Sequence, residues 1–340
     1  MRSVLIIGPN YYNFLPAVAE AFRTLGWKTA VEGYDMPVHP YSGLMRVRYK
    51  LRRDRQRMQQ ESRAAYRAYI EERFDTVRPD FVFVLKGDML ESATLDHFCS
   101  KAQVALWMFD SRTRLPMAVG HVDHVDTLFC FEQADVRWYQ AQGKQAFFLP
   151  QACDTAKYYP IEGCRKDIDI LFVGNLFYSP RRKQLMNAVI DRFPDRRIVV
   201  YGWYQPWFKG IGAWLRRPHK EIFKNVNVSS EQANVLYNRA RVVLNIHQEH
   251  QQDGANPRVF EICGAGAWQV CDRNPYIASL FPDGELGLYG DEQELFARIA
   301  EGLSCDRSEA AHRACELVRT EHSFEKRMAE VVRTVYGSSR

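Results

Sequence analysis

One stretch decides the fold: Asn245-Ile-His-Gln-Glu-His-Gln-Gln-Asp-Gly-Ala-Asn256-Pro-Arg-Val-Phe-Glu261. The apolar run that leads into it, residues 240–246, predicts an interior strand. Asn256 and Pro257 are typical of the N-cap and the first position of a helix, so we expect a helix to begin there. A strand that passes through a polar loop into a helix is the building unit of an α/β fold.

The start of this helix predicts an anion site. The first turn of a helix leaves backbone N–H groups without partners and carries the positive end of the helix dipole, and Arg258 adds a formal charge. Glu261 follows one turn later among apolar neighbours, where a carboxylate needs a partner such as a ribose diol. These features indicate a nucleotide diphosphate site. The alternative is an ordinary surface helix with a solvated Glu261.

Two series of apolar strands alternate with helical patterns, which predicts two doubly wound, Rossmann-like α/β domains. The strands are predicted at residues 4–7, 81–85, 104–108, 127–131 and 147–149, and then at 168–173, 198–201, 242–246 and 268–271. We expect an N-terminal domain over residues 1–155, a linker over 156–166 and a C-terminal domain over 167–340. The last helical stretch, residues 307–336, is expected to cross back to the first domain.

The ligand of such a chain is expected beyond the carboxyl ends of the strands, in a cleft that the two domains face. The first strand is followed by Gly8-Pro-Asn10 and lacks the G-x-G-x-x-G fingerprint, so a dinucleotide is not expected in the first domain.

Composition limits the class of protein. Lys and Arg number 46 against 41 Asp and Glu, a formal net charge of +5, which favours anionic partners but falls short of a dedicated nucleic-acid binder. The eight cysteines include no C-x-x-C pair and predict reduced thiols and a cytoplasmic protein. The short apolar start predicts a strand and not a signal peptide, and no apolar run approaches the roughly 20 residues that span a bilayer.

Five motifs follow one another along the second half of the chain: Leu244-Asn245-Ile-His247, Asn256-x-Arg258-x-Phe260-Glu261, Gly266-Ala267, Phe281-x-x-Gly284-Glu285 and Glu321-His322-Ser323-Phe324-x-x-Arg327. They resemble the CgeB-type family of glycosyltransferases, most clearly over residues 168–330. The resemblance implies the GT-B fold and a nucleotide-diphosphate sugar donor, with a UDP-sugar favoured and no bound metal. It also implies that Glu261 binds the donor ribose as the second acid of a Glu-x7-Glu element, whose first acid is Asp253 here.

Further donor-site candidates follow the strands of the second domain. Asn245, at the end of the strand before the predicted helix, and His247, in the loop after it, are two of them. Gly174 and Asn175 end the first of these strands. The triplet Arg181-Arg182-Lys183 follows a predicted helix start at Ser179-Pro180, and one or more of these cations could reach the diphosphate, with Arg181 favoured. A cation there would stabilise the charge that grows on a departing diphosphate, whereas the alternative is a solvated basic turn. Trp203 ends the next strand, where it would either stack on a nucleobase or pack within the domain.

Catalytic candidates lie in the first domain. Asp88 and Asp110 come directly after predicted strands, where a carboxylate could accept the proton of an acceptor hydroxyl. His121 and His124 are alternatives, and each of the four residues could instead serve as a cap or turn residue. A retaining enzyme would use the departing phosphate itself in place of a base.

A metal site is not expected, although the loop after residue 246 contains His247, Glu249, His250 and Asp253. An irregular loop rarely offers such ligands in the geometry that a metal requires. Asp167-x-Asp169 leads directly into a strand and is interpreted as the start of that strand.

Two segments suggest an acceptor or membrane surface. Residues 46–57 carry seven Arg and Lys side chains against a lone Asp54, a concentration that attracts anionic lipid or a phosphorylated acceptor. Residues 207–217 place Trp, Phe and Ile at helical spacing, which suits an interfacial helix or core packing. A solvated basic helix is the alternative for the first segment.

We therefore predict a glycosyltransferase that moves a sugar to a hydroxyl of a glycan, lipid-linked or protein acceptor, with a location in the cytoplasm or at the inner face of the membrane. Nucleic acid is not expected as a partner. Two alternatives remain open. One is a nucleotide-sugar epimerase on the same fold, and the other is a non-enzymatic module that binds an anionic surface or nucleic acid through residues 46–57.

Overall fold

The computed structural model describes residues 1–9, 14–34, 55–204 and 221–337. The chain divides into two compact units, Met1–Leu149 with Arg327–Arg340, and Pro150–Lys326. The aromatic segment 207–217 lies outside the described residues, as does the basic segment 46–57 up to residue 54.

The first unit contains a six-stranded parallel sheet in the order β2-β1-β3-β4-β5-β6. Its strands are β1 Ser3–Gly8, β2 Lys28–Gly33, β3 Phe81–Leu85, β4 Gln103–Met108, β5 Thr127–Cys130 and β6 Ala146–Phe148. Five of these strands confirm the sequence prediction. The prediction missed β2, because this edge strand buries only its last two residues and therefore lacks a continuous apolar run.

The described α-helices of the first unit up to residue 149 are α1 Phe14–Thr24, α2 Arg55–Val77, α3 Ser92–Cys99, α4 Pro116–Val119 and α5 Gln133–Gln140. In α1 the buried Leu15, Val18, Ala19 and Phe22 follow the i, i+3, i+4, i+7 spacing of one helix face. Full burial of each of the larger three side chains contributes roughly 1.5–3 kcal/mol, so this face holds the helix on the sheet.

The second unit contains a five-stranded parallel sheet in the order β11-β10-β9-β7-β8. Its strands are β7 Ile168–Val173, β8 Ile198–Tyr201, β9 Ala240–Asn245, β10 Gln269–Asp272 and β11 Gly287–Tyr289. The first four confirm the prediction. The strand β11 was not predicted, because three residues are too short to show a period.

The described helices of the second unit are α6 Pro180–Arg192, α7 Ser230–Arg239, α8 Pro257–Gly264, α9 Pro275–Leu280, α10 Glu292–Ser304 and α11 Ser308–Glu321. Ser179 caps α6 by accepting a hydrogen bond from the backbone N–H of Arg182, which confirms the predicted helix start at Ser179-Pro180.

The stretch 156–166, which the sequence suggests as a linker, lies within the second unit. The backbone N–H of Tyr159 donates to Asn234 Oδ1 at 3.1 Å, and that of Ile161 donates to Asn238 Oδ1 at 2.7 Å. Both asparagines belong to α7, so these side chains fasten the stretch along that helix.

The last helical stretch is not continuous, which corrects the prediction of one run over residues 307–336. It forms two helices, α11 and α12 Phe324–Tyr336, because residues 322–323 are taken up by a backbone bridge with Cys153. The backbone N–H of Cys153 donates to His322 O at 2.9 Å. Residues from Arg327 onward cluster with the first unit, where the Tyr336 ring packs 5.6 Å from Trp27.

All eight cysteines are free, and five of them are buried. Within the part of the chain that the structure describes, no helix is long and apolar enough to cross a membrane.

Candidate functional site

The helix α8 begins as the sequence predicts. Asn256 is its N-cap, with an extended backbone and a side-chain oxygen that accepts from the N–H of Val259 at 3.3 Å. Pro257 occupies the first turn. The helix start is therefore held by the cap chemistry that the sequence shows.

Asn245 supports this cap from the end of β9. Its Nδ2 donates to Asn256 Oδ1 at 3.1 Å, and Asn256 Nδ2 donates back to Asn245 Oδ1 at 2.9 Å. The same Nδ2 also donates to Gln269 Oε1 at 2.8 Å. Because Asn245 is only 1% exposed, its geometry fits a role in orienting the cap and not direct contact with a ligand.

His247 supports the cap from the other side. Its Nε2 accepts the backbone N–H of Asn256 at 3.3 Å, and its own backbone N–H donates to Asp272 Oδ2 at 2.6 Å. The ring Nδ1 lies 3.4 Å from the same carboxylate oxygen. The two neighbours predicted as donor-site residues, Asn245 and His247, thus both act on the position of Asn256.

Arg258 is the charged group of this helix start. Among the described residues, its guanidinium forms no hydrogen bond and no ion pair, and its backbone N–H has no acceptor. The side chain is part-exposed and lies beside Gly174, where a Cβ would stand 3.5 Å from Arg258 Cζ. Two kinds of donor, one of them charged, are therefore available to an anion.

A second cation lies close to Arg258. Arg182 is 3% exposed, and it donates through Nε to Ile246 O at 2.7 Å and through Nη1 to Asn175 O at 3.2 Å. Burial, together with the charge of Arg258, lowers the pKa of Arg182 to about 9, so it remains charged at neutral pH. Neither arginine has a carboxylate within ion-pair distance among the described residues. Two neighbouring, unneutralised cations favour an anion between them.

Arg181, the cation singled out in the sequence, is differently engaged. Its Nη1 lies 3.3 Å from Asp272 Oδ2 and 3.4 Å from the carbonyl oxygen of His247. Its backbone N–H and the hydroxyl of Ser179 both donate to Glu249 Oε1, at 3.1 and 2.9 Å. Glu249 therefore already occupies the N-terminus of α6, which leaves the N-terminus of α8 for an external anion.

Glu261 lies one turn beyond Arg258 and is half-buried, with its carboxyl end enclosed by protein. Burial raises the pKa of Glu261 to about 7, against the opposing effects of the Arg258 charge and a hydrogen bond with Tyr158. The aromatic rings of Tyr158 and Tyr237 stack nearby at 6.1 Å. A carboxylate in this setting gains from a polar ligand that donates hydrogen bonds to its ionised form.

A hydrogen bond and a close backbone contact join the loops after β7 and β8. Asn175 Oδ1 accepts the backbone N–H of Trp203 at 2.9 Å. Gly202 has φ of +115°, and a Cβ there would stand 2.2 Å from the carbonyl oxygen of Gly174. Only glycine fits this contact. The side chain of Trp203 is part-exposed at the same edge of the sheet as Gly174.

The acidic and histidine-rich loop does not assemble a metal centre. Within the described ranges, no group of three or more His, Cys, Asp or Glu side chains is placed to hold a metal ion. Asp167 pairs with Arg239 at 2.6 Å and with Arg197 at 3.1 Å, so it fastens the start of β7 as the sequence suggests.

The two catalytic candidates lie at neighbouring strands of the first unit. Asp88 follows β3 and pairs with Lys86 at 2.6 Å, and Asp110 follows β4 and pairs with Arg114 at 3.3 Å. Their alternatives are also engaged, since His124 contacts Asp96 at 2.7 Å and His121 is buried. Burial, and then the charge of His124, lowers the pKa of His121.

Sequence reasoning missed Asp272, and among the three cations 181–183 it favoured Arg181 over Arg182. Asp272 ends β10, whose parallel register places Cys271 beside Asn245. The residue after Cys271 therefore adjoins the loop that starts after β9. A polar residue at the carboxyl end of a strand neighbouring β9 was the available signal.

Comparison with known proteins bears on the family and on the fold. Residues 181–333, somewhat less than half of the chain, match the model of a family described as glycosyl transferase-like. No curated protein matches the sequence. Among solved structures, sucrose-phosphate synthase from Thermosynechococcus elongatus is similar at 13% identity and a TM-score of 0.71, with 100% of both chains covered.

Two further structures share the fold. AviGT4, a glycosyltransferase involved in avilamycin A biosynthesis, is similar at 16% identity and a TM-score of 0.65, over 100% of this chain and 99% of the other. HepE of Anabaena, in complex with UDP and glucose, is similar at 12% identity and a TM-score of 0.64, over 99% and 100%.

The chain has the GT-B fold, with two parallel-sheet α/β domains, and it carries a glycosyl transferase-like domain over residues 181–333. The match over residues 181–333 indicates an enzyme that transfers glycosyl groups. The cationic helix start at Asn256 lies inside the matched region.

Proposed function

We propose that the enzyme binds the diphosphate of a nucleotide-sugar donor at the start of α8 and transfers the sugar to a hydroxyl of a glycan, lipid-linked or protein acceptor. One observation carries the proposal: Arg258 forms no hydrogen bond and no ion pair among the described residues, and it lies close to a second cation, the buried Arg182. A bound diphosphate would neutralise both.

The same cations serve the chemistry. The nucleoside diphosphate departs with growing negative charge, and fixed positive groups lower the barrier by stabilising that charge in the transition state. Two guanidinium groups and a free backbone N–H at the start of α8 supply such stabilisation without a metal ion.

The remaining donor contacts follow from position. Glu261 would accept hydrogen bonds from the ribose diol, and Trp203 would lie against the base at the edge formed with Gly174 and Asn175. A UDP-sugar is the favoured donor, and the structure of HepE with UDP and glucose supports this choice on the same fold. The motif Asn256-x-Arg258-x-Phe260-Glu261 supports placement in the CgeB-like group.

The acceptor side of the proposal assigns Asp88 or Asp110 as the base, since each follows a strand of the first unit. A cytoplasmic location is supported by the eight free cysteines, and contact with an anionic membrane by the composition of residues 46–57.

Calorimetry with UDP, GDP, dTDP and CMP tests the donor site. We expect one nucleoside diphosphate to bind, and to bind more tightly than CMP. Incubation with the matching nucleotide sugars, without acceptor, then separates the reaction classes. A transferase hydrolyses the donor slowly, whereas an epimerase returns an altered sugar. Absence of binding to every nucleotide would contradict the proposal.

A further inference from the structure

Asp272 joins several parts of the second unit at a single carboxylate. Its Oδ2 accepts the backbone N–H of His247 at 2.6 Å and lies 3.3 Å from Arg181 Nη1, and its Oδ1 accepts the hydroxyl of Tyr289. The side chain is 14% exposed. These partners come from β11, from the first turn of α6 and from the loop after β9.

The carboxylate is held in its ionised form. Burial alone would raise the pKa of Asp272, but the hydrogen bonds from His247 and Tyr289 and the charge of Arg181 outweigh it, and the pKa lies below its ordinary value. An ionised Asp272 can only accept hydrogen bonds, so every neighbouring polar group must present a donor to it.

This requirement fixes the ring of His247. Nε2 accepts the backbone N–H of Asn256 at 3.3 Å, and Nδ1 stands 3.4 Å from Asp272 Oδ2 and 3.8 Å from Cys271 Sγ, which is a weak acceptor. A neutral imidazole satisfies both contacts only with its proton on Nδ1. The ring then transmits the position of the carboxylate to the N-cap residue of α8.

We propose that Asp272 is a positioning residue of the donor site: it fixes His247 in the Nδ1–H tautomer, and His247 in turn holds Asn256 and the first turn that carries Arg258. Asp272 itself touches no donor atom in this account. The effect of Asp272 on nucleotide binding rests on the proposed function. The effect of Asp272 on the tautomer of His247 does not depend on that function.

The tautomer is read directly by nitrogen-15 NMR of the free protein labelled at histidine, with the His247 signals assigned by their loss in His247→Gln. The wild-type ring should show Nδ1 protonated and Nε2 unprotonated. Asp272→Asn should mix the two tautomers, because its amide can donate as well as accept. Asp169→Asn is the matched control, since Asp169 lies on β7 and contacts Arg241 at 3.9 Å. Unchanged His247 signals in Asp272→Asn would overturn the proposal.

The consequence for binding is tested by a double-mutant cycle, using whichever of UDP, GDP or dTDP binds the wild type most tightly. We expect Asp272→Asn and His247→Ala each to weaken binding about tenfold, and the double variant to weaken it by little more than either one. Effects that multiply in the double variant would contradict action through His247. Full affinity in a folded Asp272→Asn protein would contradict the proposal outright.

Two controls keep these outcomes separate. If Asp272→Asn does not fold, His247→Gln is used in its place. The amide oxygen of the introduced glutamine can accept the N–H of Asn256 without Asp272, so His247→Gln should bind nucleotide more nearly like the wild type than His247→Ala does. Equal losses of affinity in the two variants would overturn the proposal. If the wild type binds no nucleotide, the proposed function fails, and the NMR result alone decides the role of Asp272.

Discussion

Removal of the Arg258 charge should disable the donor site and leave the fold intact. Arg258→Met keeps the length of the side-chain stem and deletes the guanidinium. Because the guanidinium forms no hydrogen bond and no ion pair among the described residues, none is lost, and the repulsion of Arg182 is relieved. A hydrogen bond to a charged group contributes roughly 1.5–3 kcal/mol, which corresponds to a loss of affinity of roughly 10- to 150-fold.

Calorimetric titration with the preferred nucleoside diphosphate measures this loss, and thermal melting measures the fold. Arg241→Met is the matched control: Arg241 contacts Asp169 at 3.9 Å near the start of β7, is half-exposed, and should bind nucleotide like the wild type. We expect both variants to melt within about 2 °C of the wild type. An Arg258→Met protein with unchanged affinity would refute the assignment of this residue to the diphosphate.

Three other predictions concern pH, backbone geometry and metal. The pKa of Glu261 is about 7 in the folded protein, above its ordinary value of 4.5. Protonated Glu261 therefore makes its full contribution to the free energy of unfolding below pH 4.5, and this contribution is lost as the pH rises through 7. At pH 8 the free energy of unfolding of Glu261→Gln should therefore exceed that of the wild type by at most roughly 3 kcal/mol, whereas at pH 4.5 the two should differ little. Equal denaturant midpoints at pH 8 would contradict this prediction. Gly202→Ala should destabilise the folded protein by at least about 2 kcal/mol more than Gly143→Ala, because both glycines have positive φ but only Gly202 lies against backbone atoms. Similar melting temperatures of the two variants would contradict this prediction. Sugar transfer should be insensitive to EDTA, since guanidinium groups supply the positive charge, and a loss that Mg²⁺ or Mn²⁺ restores would count against this.

The sequence was most informative where local chemistry determines structure. Asn256 and Pro257 form a cap whose function needs only neighbouring residues, so the start of α8 could be predicted. The buried parallel strands were equally visible as continuous apolar runs. Edge strands such as β2 and β11 were missed because they are short or half-exposed.

The site was harder to predict where neighbours come from different strands. Arg181 and Arg182 are adjacent in sequence, yet the helix turns one toward Asp272 and buries the other beside Arg258. Sequence spacing alone does not fix which of the two faces the site. The role of Asp272 at the site could be recognised only from the register of β9 and β10. Its partners are remote in sequence, since His247 lies 25 residues before it and Tyr289 lies 17 residues after it.

The break between α11 and α12 was hidden for the same reason. Residues 322–323 end the helix through a bridge to Cys153, a contact that is remote in sequence. No glycine or proline marks the break, so local propensity favours one continuous helix.

The most direct test is a crystal structure of the enzyme with its preferred nucleoside diphosphate. We expect the pyrophosphate within hydrogen-bond distance of the backbone N–H and guanidinium of Arg258, close to Arg182, with the ribose diol against Glu261. A nucleotide bound elsewhere, with the start of α8 left without a phosphate, would contradict it.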